Sequence, residues 1–154
     1  MNSIFQDFLI ELGKELDIPI NIDNPKAITF LVDDILNIQI ENNPIDGNII
    51  IAAFVTRLTP GKFRENVLRE TLKYNDIFER IGTFGYSDKE NDLVLFDFLP
   101  FPEIKMDVFI NYISSFIETS FKWKESIERG NAAPDDFLIA AAKPSKLSPL
   151  DLKP

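Results

Sequence analysis

The chain has 154 residues, 45% of them hydrophobic, enough for one domain with a real core that buries roughly two-thirds of its unfolded surface. Its net charge of −9 repels phosphate backbones and anionic bilayers, which disfavours nucleic acid and stable membrane insertion as partners. With no Cys and no His there are no disulfides, thiol nucleophiles, Ser-His-Asp triads or zinc sites built on those ligands, and zero Cys agrees with a cytoplasmic protein.

Residues 3–16 read as an amphipathic helix, because Phe5, Phe8, Leu9, Leu12 and Leu16 recur at three- and four-residue steps. Ser3 and Gln6 form a capping-box pair, and Pro19 stops the helix. Ile4 and Ile10 widen its apolar surface, while Asp7 and Glu11 exclude a signal peptide or a membrane span. After a connector holding Pro19 and Pro25, strands are expected at Ile28–Val32 and Leu36–Glu41, joined by a tight turn at Asp33-Asp34. A third strand, Asn48–Arg57, is apolar on both faces and so belongs inside the sheet.

Thr59-Pro60 reads as the start of a second helix that runs to about Tyr74. Phe63, Val67, Leu68 and Thr71 lie along one side of it, and Lys62, Arg64, Arg69 and Lys73 make the rest basic. Ile81–Tyr86 is the fourth strand, with Gly82 and Gly85 at points where another backbone can approach closely.

The most apolar stretch is Asp92–Pro102, DLVLFDFLPFP, with Val94, Phe96 and Phe98 on one face and Leu93, Leu95, Asp97 and Leu99 on the other. It predicts a central strand with both faces covered. Asp97 is expected to reach a strand edge or a basic residue of the second helix. Met106–Arg129 is a long helix of roughly 35 Å, stopped by Gly130.

Residues 131–154 carry Pro134, Pro144, Pro149 and Pro154 and read as a flexible tail, with at most a short helix at Asp135–Lys143 and an apolar FLIAAA run. The fold class is therefore α+β: a twisted, mainly antiparallel five-stranded sheet with three helices in the order α-β-β-β-α-β-β-α. The domain spans 1–130.

Tests for chemistry return little. Gly61-Lys62 lacks the rest of a phosphate-binding loop, and Gly82-Thr83-Phe84-Gly85 does not fit the dinucleotide fingerprint. Asp33-Asp34 and Asp135-Asp136 lack the spaced oxygen ligands of a calcium loop. No catalytic, cofactor or metal-binding residue is nominated, no cofactor is expected, and the chain reads as a non-enzyme.

Several local features are similar to class I chaperones of bacterial type III secretion systems, small acidic dimers that bind secreted effectors. They are Leu72-Lys73-Tyr74-Asn75 after the second helix, the glycine-bearing strand, Asp92-Leu93-Val94-Leu95 with Leu99-Pro100-Phe101, then Phe116-Ile117 and Trp123-Lys124. The resemblance covers about residues 3–129, and the tail departs from the shortest family members. It implies a homodimer in the bacterial cytoplasm that holds the N-terminal segment of an effector extended, without ATP.

By the same resemblance, Val67, Leu68, Ile81, Phe84 and Tyr86 would form the dimer interface. An effector would add a strand at the Ile28–Val32 edge and touch Phe5, Phe8, Leu12, Ile28, Phe30 and Val32. The alternative is a non-catalytic structural or regulatory subunit that binds one folded partner.

Overall fold

A computed structural model describes residues 3–23 and 26–137. In chain order the elements are α1 (Ile4–Leu16), β1 (Ala27–Val32), β2 (Leu36–Asn43), β3 (Asn48–Arg57), α2 (Lys62–Asn75), β4 (Thr83–Ser87), β5 (Asp92–Pro100) and α3 (Met106–Glu128). The five strands make one sheet in the order β1-β2-β3-β5-β4, and every neighbouring pair is antiparallel. β1 and β4 are its edges.

Local chemistry explains most boundaries. Ser3 and Gln6 close the capping box, with Gln6 N donating to Ser3 Oγ at 3.1 Å and Ser3 N to Gln6 Oε1 at 2.9 Å. α1 ends at Asp17, which is left-handed at φ 51°, two residues before Pro19. Asp33 and Asp34, at φ 52° and 61°, build the turn between β1 and β2, a conformation that Asp tolerates better than most residues. α2 starts later than Thr59-Pro60 suggests. Its N-cap is Gly61 at φ 146°, a backbone that a side chain would oppose, so the chain turns at the glycine and the helix begins at Lys62.

The core lies on one face of the sheet. Ile38 and Ile40 of β2, Ile49 and Ile51 of β3, and Leu93 and Leu95 of β5 are fully buried there. α1 contributes Phe5, Leu9 and Leu12 to that core, and α3 contributes Phe109, Ile113 and Phe116. The Phe8 ring joins the two helices, edge-on to Phe101 at 5.2 Å and to Phe109 at 5.0 Å.

Among the described residues no helix lies on the opposite face, which departs from the expectation that β5 is covered on both sides. Cross-strand register places Leu31 beside Asn37, Asn37 beside Phe54, Ile50 beside Phe98 and Ala52 beside Phe96 on this face. None of these residues is buried. Asp97 reaches strand backbone, one of its two expected partners, but not a basic residue of α2. Its carboxylate accepts from the Tyr112 hydroxyl of α3 and from the Phe98 N–H at 2.8 Å, so α3, not α2, supplies its partner.

The chain beyond Gly130 does not leave the body at once. Ala133 and Pro134 are buried, Ser126 Oγ donates to Ala133 O at 3.1 Å, and Phe137 lies 5.3 Å from the Trp123 ring. Residues 131–137 are therefore part of the packed unit, and the boundary expected at 130 falls too early. The rest of the expected short helix and tail, 138–154, lies outside the described residues.

Candidate partner-binding surfaces

The two edges of the sheet are finished differently. At β4, the last residues of α2 reach the outward-facing backbone. Asn75 Nδ2 donates to Phe84 O at 2.9 Å and Phe84 N donates to Asn75 Oδ1 at 2.8 Å, so one amide side chain imitates a neighbouring strand. Just before β4 the Tyr74 hydroxyl donates to Ile81 O, and Ile81 N donates back to it at 3.1 Å. Burial raises the Tyr74 pKa, partly opposed by its bond to Ile81. At the other end of the sheet, no described strand pairs beyond β1.

Side chains behind β4 lock it further. Tyr74, Phe84 and Trp123 form an aromatic cluster, with Phe84 4.7 Å from Trp123 and 5.0 Å from Tyr74. Arg64 Nη1 donates to the Tyr86 hydroxyl at 2.7 Å, and that hydroxyl donates to Asn91 Oδ1 at 2.7 Å. Gly82, just before β4, and Gly85 within it both meet their own sheet: a Cβ on Gly82 would fall 2.9 Å from Leu95 Cδ1, and one on Gly85 3.1 Å from the Phe96 ring.

The residues singled out for effector contact are not on the surface of the chain. Phe5, Phe8, Leu12, Ile28 and Phe30 are buried and Val32 is half-buried, all in the core cluster or against it. The exposed apolar positions of the same elements are their neighbours, Ile4 at 68% and Leu31 at 51% exposure. Strand alternation accounts for the offset: Ile28, Phe30 and Val32 face the helices, and Thr29 and Leu31 face outward.

The dimer candidates divide similarly. Val67 and Phe84 are buried, whereas Leu68, Ile81 and Tyr86 are half-buried. Large apolar surface lies beside them at Leu72, exposed by 69%, Ile77 by 41% and Phe78 by 88%. The apolar stripe of α2 passed over these three, since Leu72 sits off it and Ile77 and Phe78 follow the helix. An apolar pair directly after a helix end was the available signal.

The apolar part of the open face is concentrated on β3 and β5, where Ile50, Phe54, Phe96 and Phe98 lie together. The Phe96 and Phe98 rings meet edge-on at 6.0 Å, and Phe98 is 52% exposed. Toward β1 the face turns polar through Asn37, Gln39 and Glu41. Grooves also lie elsewhere among the described residues, two of them near α1. One, of about 530 Å³, runs between α1 and residues 18–22; the other, of about 350 Å³, lies among Ile4, Pro44 and Pro102. Among the described residues no helix is long and apolar enough to cross a membrane.

Known proteins show what this arrangement is similar to. No curated protein matches the chain. The fold matches the HopA1–SchA chaperone–effector complex with a TM-score of 0.65 at 12% identity, over 80% of this chain and 95% of that one. It matches the ExsC–ExsE complex with a TM-score of 0.60 at 14% identity, over 81% and 94%. The type III secretion chaperone SycH of Yersinia pestis, solved with a stable fragment of YscM2, gives 0.53 at 15% identity, over 74% and 94%. At these identities the likeness is one of fold. The model of the Tir chaperone protein (CesT) family matches residues 7–124, well over half of the sequence, and the chain belongs to that family.

Proposed function

We propose that the protein is a type III secretion chaperone: a homodimer of the bacterial cytoplasm that holds the N-terminal segment of secreted effectors extended, without ATP and without catalysis. The observation that carries this reading is the contrast between the edges. Asn75 occupies the backbone of Phe84 at β4, while β1 presents a row of outward peptide groups that an extended segment can pair with. A strand added there would alternate its side chains between the two faces of the sheet. Those on the open side would continue the surface of Leu31 and, farther across, Phe54 and Phe98.

On this reading Phe5, Phe8, Leu12, Ile28, Phe30 and Val32 act from beneath, holding β1 in register against the helices, while Thr29 and Leu31 meet the client. The second copy would sit on the α2 side. Val67 and Phe84 are too deep to be its main contacts, and Leu72, Ile77 and Phe78 would join Leu68, Ile81 and Tyr86 in the interface. The three likenesses above are to complexes, one named as a chaperone–effector complex and one as a type III secretion chaperone with a bound fragment, and the family match supports the same class of activity.

The test uses N-terminal segments of secreted proteins encoded beside the gene. Light scattering should give the mass of two copies of the chain plus bound segment, and amides of β1 should exchange more slowly in the complex. Binding of a folded protein without uptake of any isolated segment would overturn the reading in favour of a structural subunit.

A further inference from the structure

We propose that Asp46-Gly47 is a modification site, where the chain isomerises spontaneously to isoaspartate, and that the change loosens the packing of α1. The reaction needs the backbone nitrogen of the next residue to reach the side-chain carboxyl, and a Cβ on that residue hinders the approach. Asp46 is followed by glycine, whereas every other Asp and Asn in the sequence is followed by a bulkier residue. The hairpin leaves this pair open. Residues 44–47 form the turn between β2 and β3 and are all exposed, and Gly47 has φ 67°. A Cβ added at Gly47 would meet nothing within 4 Å, so no neighbour crowds the turn. Among the described residues no hydrogen bond holds the Gly47 N–H, and the Asp46 carboxyl accepts from Asn43 Nδ2 at 2.9 Å.

In the first step the Gly47 N–H gives its proton to water, the nitrogen bonds to Asp46 Cγ, and a Cγ–O bond breaks. The oxygen leaves as water, taking the carboxyl proton and one proton from solvent. Water then opens the cyclic imide. Opening at the former main-chain carbonyl routes the chain through Cβ and Cγ of residue 46 and frees an α-carboxyl, whereas opening at Cγ restores Asp. Nothing is oxidised or reduced, and the mass of the chain is unchanged. The added main-chain atom must shift Gly47, whose carbonyl accepts from Phe101 N at 3.1 Å. Phe101 packs edge-on against Phe5 at 5.8 Å and Phe8 at 5.2 Å, so the shift reaches the first turns of α1. This inference does not rest on the chaperone reading.

The experiment incubates the full chain in warm neutral buffer and follows isoaspartate by peptide mapping with electron-transfer fragmentation, which separates the two isomers at equal mass. Isoaspartate should accumulate at residue 46 before any other position. Gly47→Ala should slow it at least about tenfold by placing a Cβ beside the reacting nitrogen. Asp46→Asn keeps the glycine and should react faster, losing ammonia and reporting itself as a mass gain, so the site is tested even where Gly47→Ala fails to fold. A free peptide of residues 43–48 gives the unstructured rate, and the folded chain should stay within about tenfold of it because the turn is exposed. No isoaspartate at residue 46, faster accumulation elsewhere, or a folded rate far below that of the peptide would each overturn the site. The converted chain, separated by chromatography, should have a lower urea midpoint and a faster-exchanging Phe101 amide. Unchanged exchange at Phe101 would overturn the link to α1.

Discussion

β5 displays both faces of the sheet within nine residues. Leu93, Leu95 and Leu99 lie under the helices and are buried, while Val94, Phe96 and Phe98 point the other way and are not. The two sets are about equally apolar, so hydrophobicity alone does not say which face is covered. Coverage depends on what the rest of the chain has left to offer. α1 and α3 fill one side, α2 is held at the β4 edge by Asn75 and Tyr74, and no described helix remains for the second side. An apolar face left bare in this way marks a place for a partner rather than a defect of packing.

Unequal energetics should expose that difference most clearly. Phe116→Ala empties a fully buried site on the covered side and should cost about 3–5 kcal/mol, while Phe98→Ala on the open side should cost less than about 1 kcal/mol. Urea midpoints on both variants decide it. A loss at Phe98 as large as that at Phe116 would mean the open face is already covered in the free protein.

The edges give the next contrast. Asn75→Ala strips two bonds from Phe84 and should cost about 1–3 kcal/mol, and it should make the protein prone to aggregate through the freed β4 edge. Thr29→Ala on β1 should stay within about 0.5 kcal/mol, because its side chain is exposed. Equal losses would show that the two edges are finished alike.

Periodicity and turn chemistry in the sequence delivered the element order, the Ser3–Gln6 capping box, the turn at Asp33-Asp34 and the end of α3 near Gly130, because each depends on neighbours within four residues. The open face was not legible. Alternation in β5 says that two faces are apolar, but which of them the helices occupy depends on pairing over long sequence distances. The same limit put the candidate contacts on Phe30 and Val32 instead of Leu31: period two separates the faces without naming the outer one. Asn75 carried a legible signal, a polar residue at a helix end, yet its use as a substitute strand needs Phe84 nearby in space.

The packed segment 131–137 sharpens the comparison at the β4 end. Phe137→Ala removes ring contacts with Trp123 and Tyr74 and should cost about 0.5–1.5 kcal/mol, lowering Tm by a few degrees. Removing 138–154 while keeping Phe137 should change Tm less than removing 131–154. Should both truncations melt together, the clasp at Ala133–Phe137 contributes nothing to the fold.

The smallest effect lies where α3 meets β5 on the covered face. Burial, then the hydrogen bond to Asp97 and its charge, push the Tyr112 hydroxyl well above the usual 10.0. Below pH 10 the tyrosine is protonated whether the chain is folded or not, so it gives stability no pH dependence there. Above pH 10 the unfolded chain releases this proton while the native state retains it, and stability must fall as pH rises. Tyr112→Phe should therefore flatten part of the decline in urea midpoint between pH 10 and 11. Part of the slope should remain, because the Tyr74 hydroxyl is shifted in the same direction by its own burial. Phe98→Ala, on the opposite face one strand position along, should leave the slope as it is. An alkaline limb identical in wild type and Tyr112→Phe would mean that the Tyr112–Asp97 pair is open to water, and with it this part of the covered face.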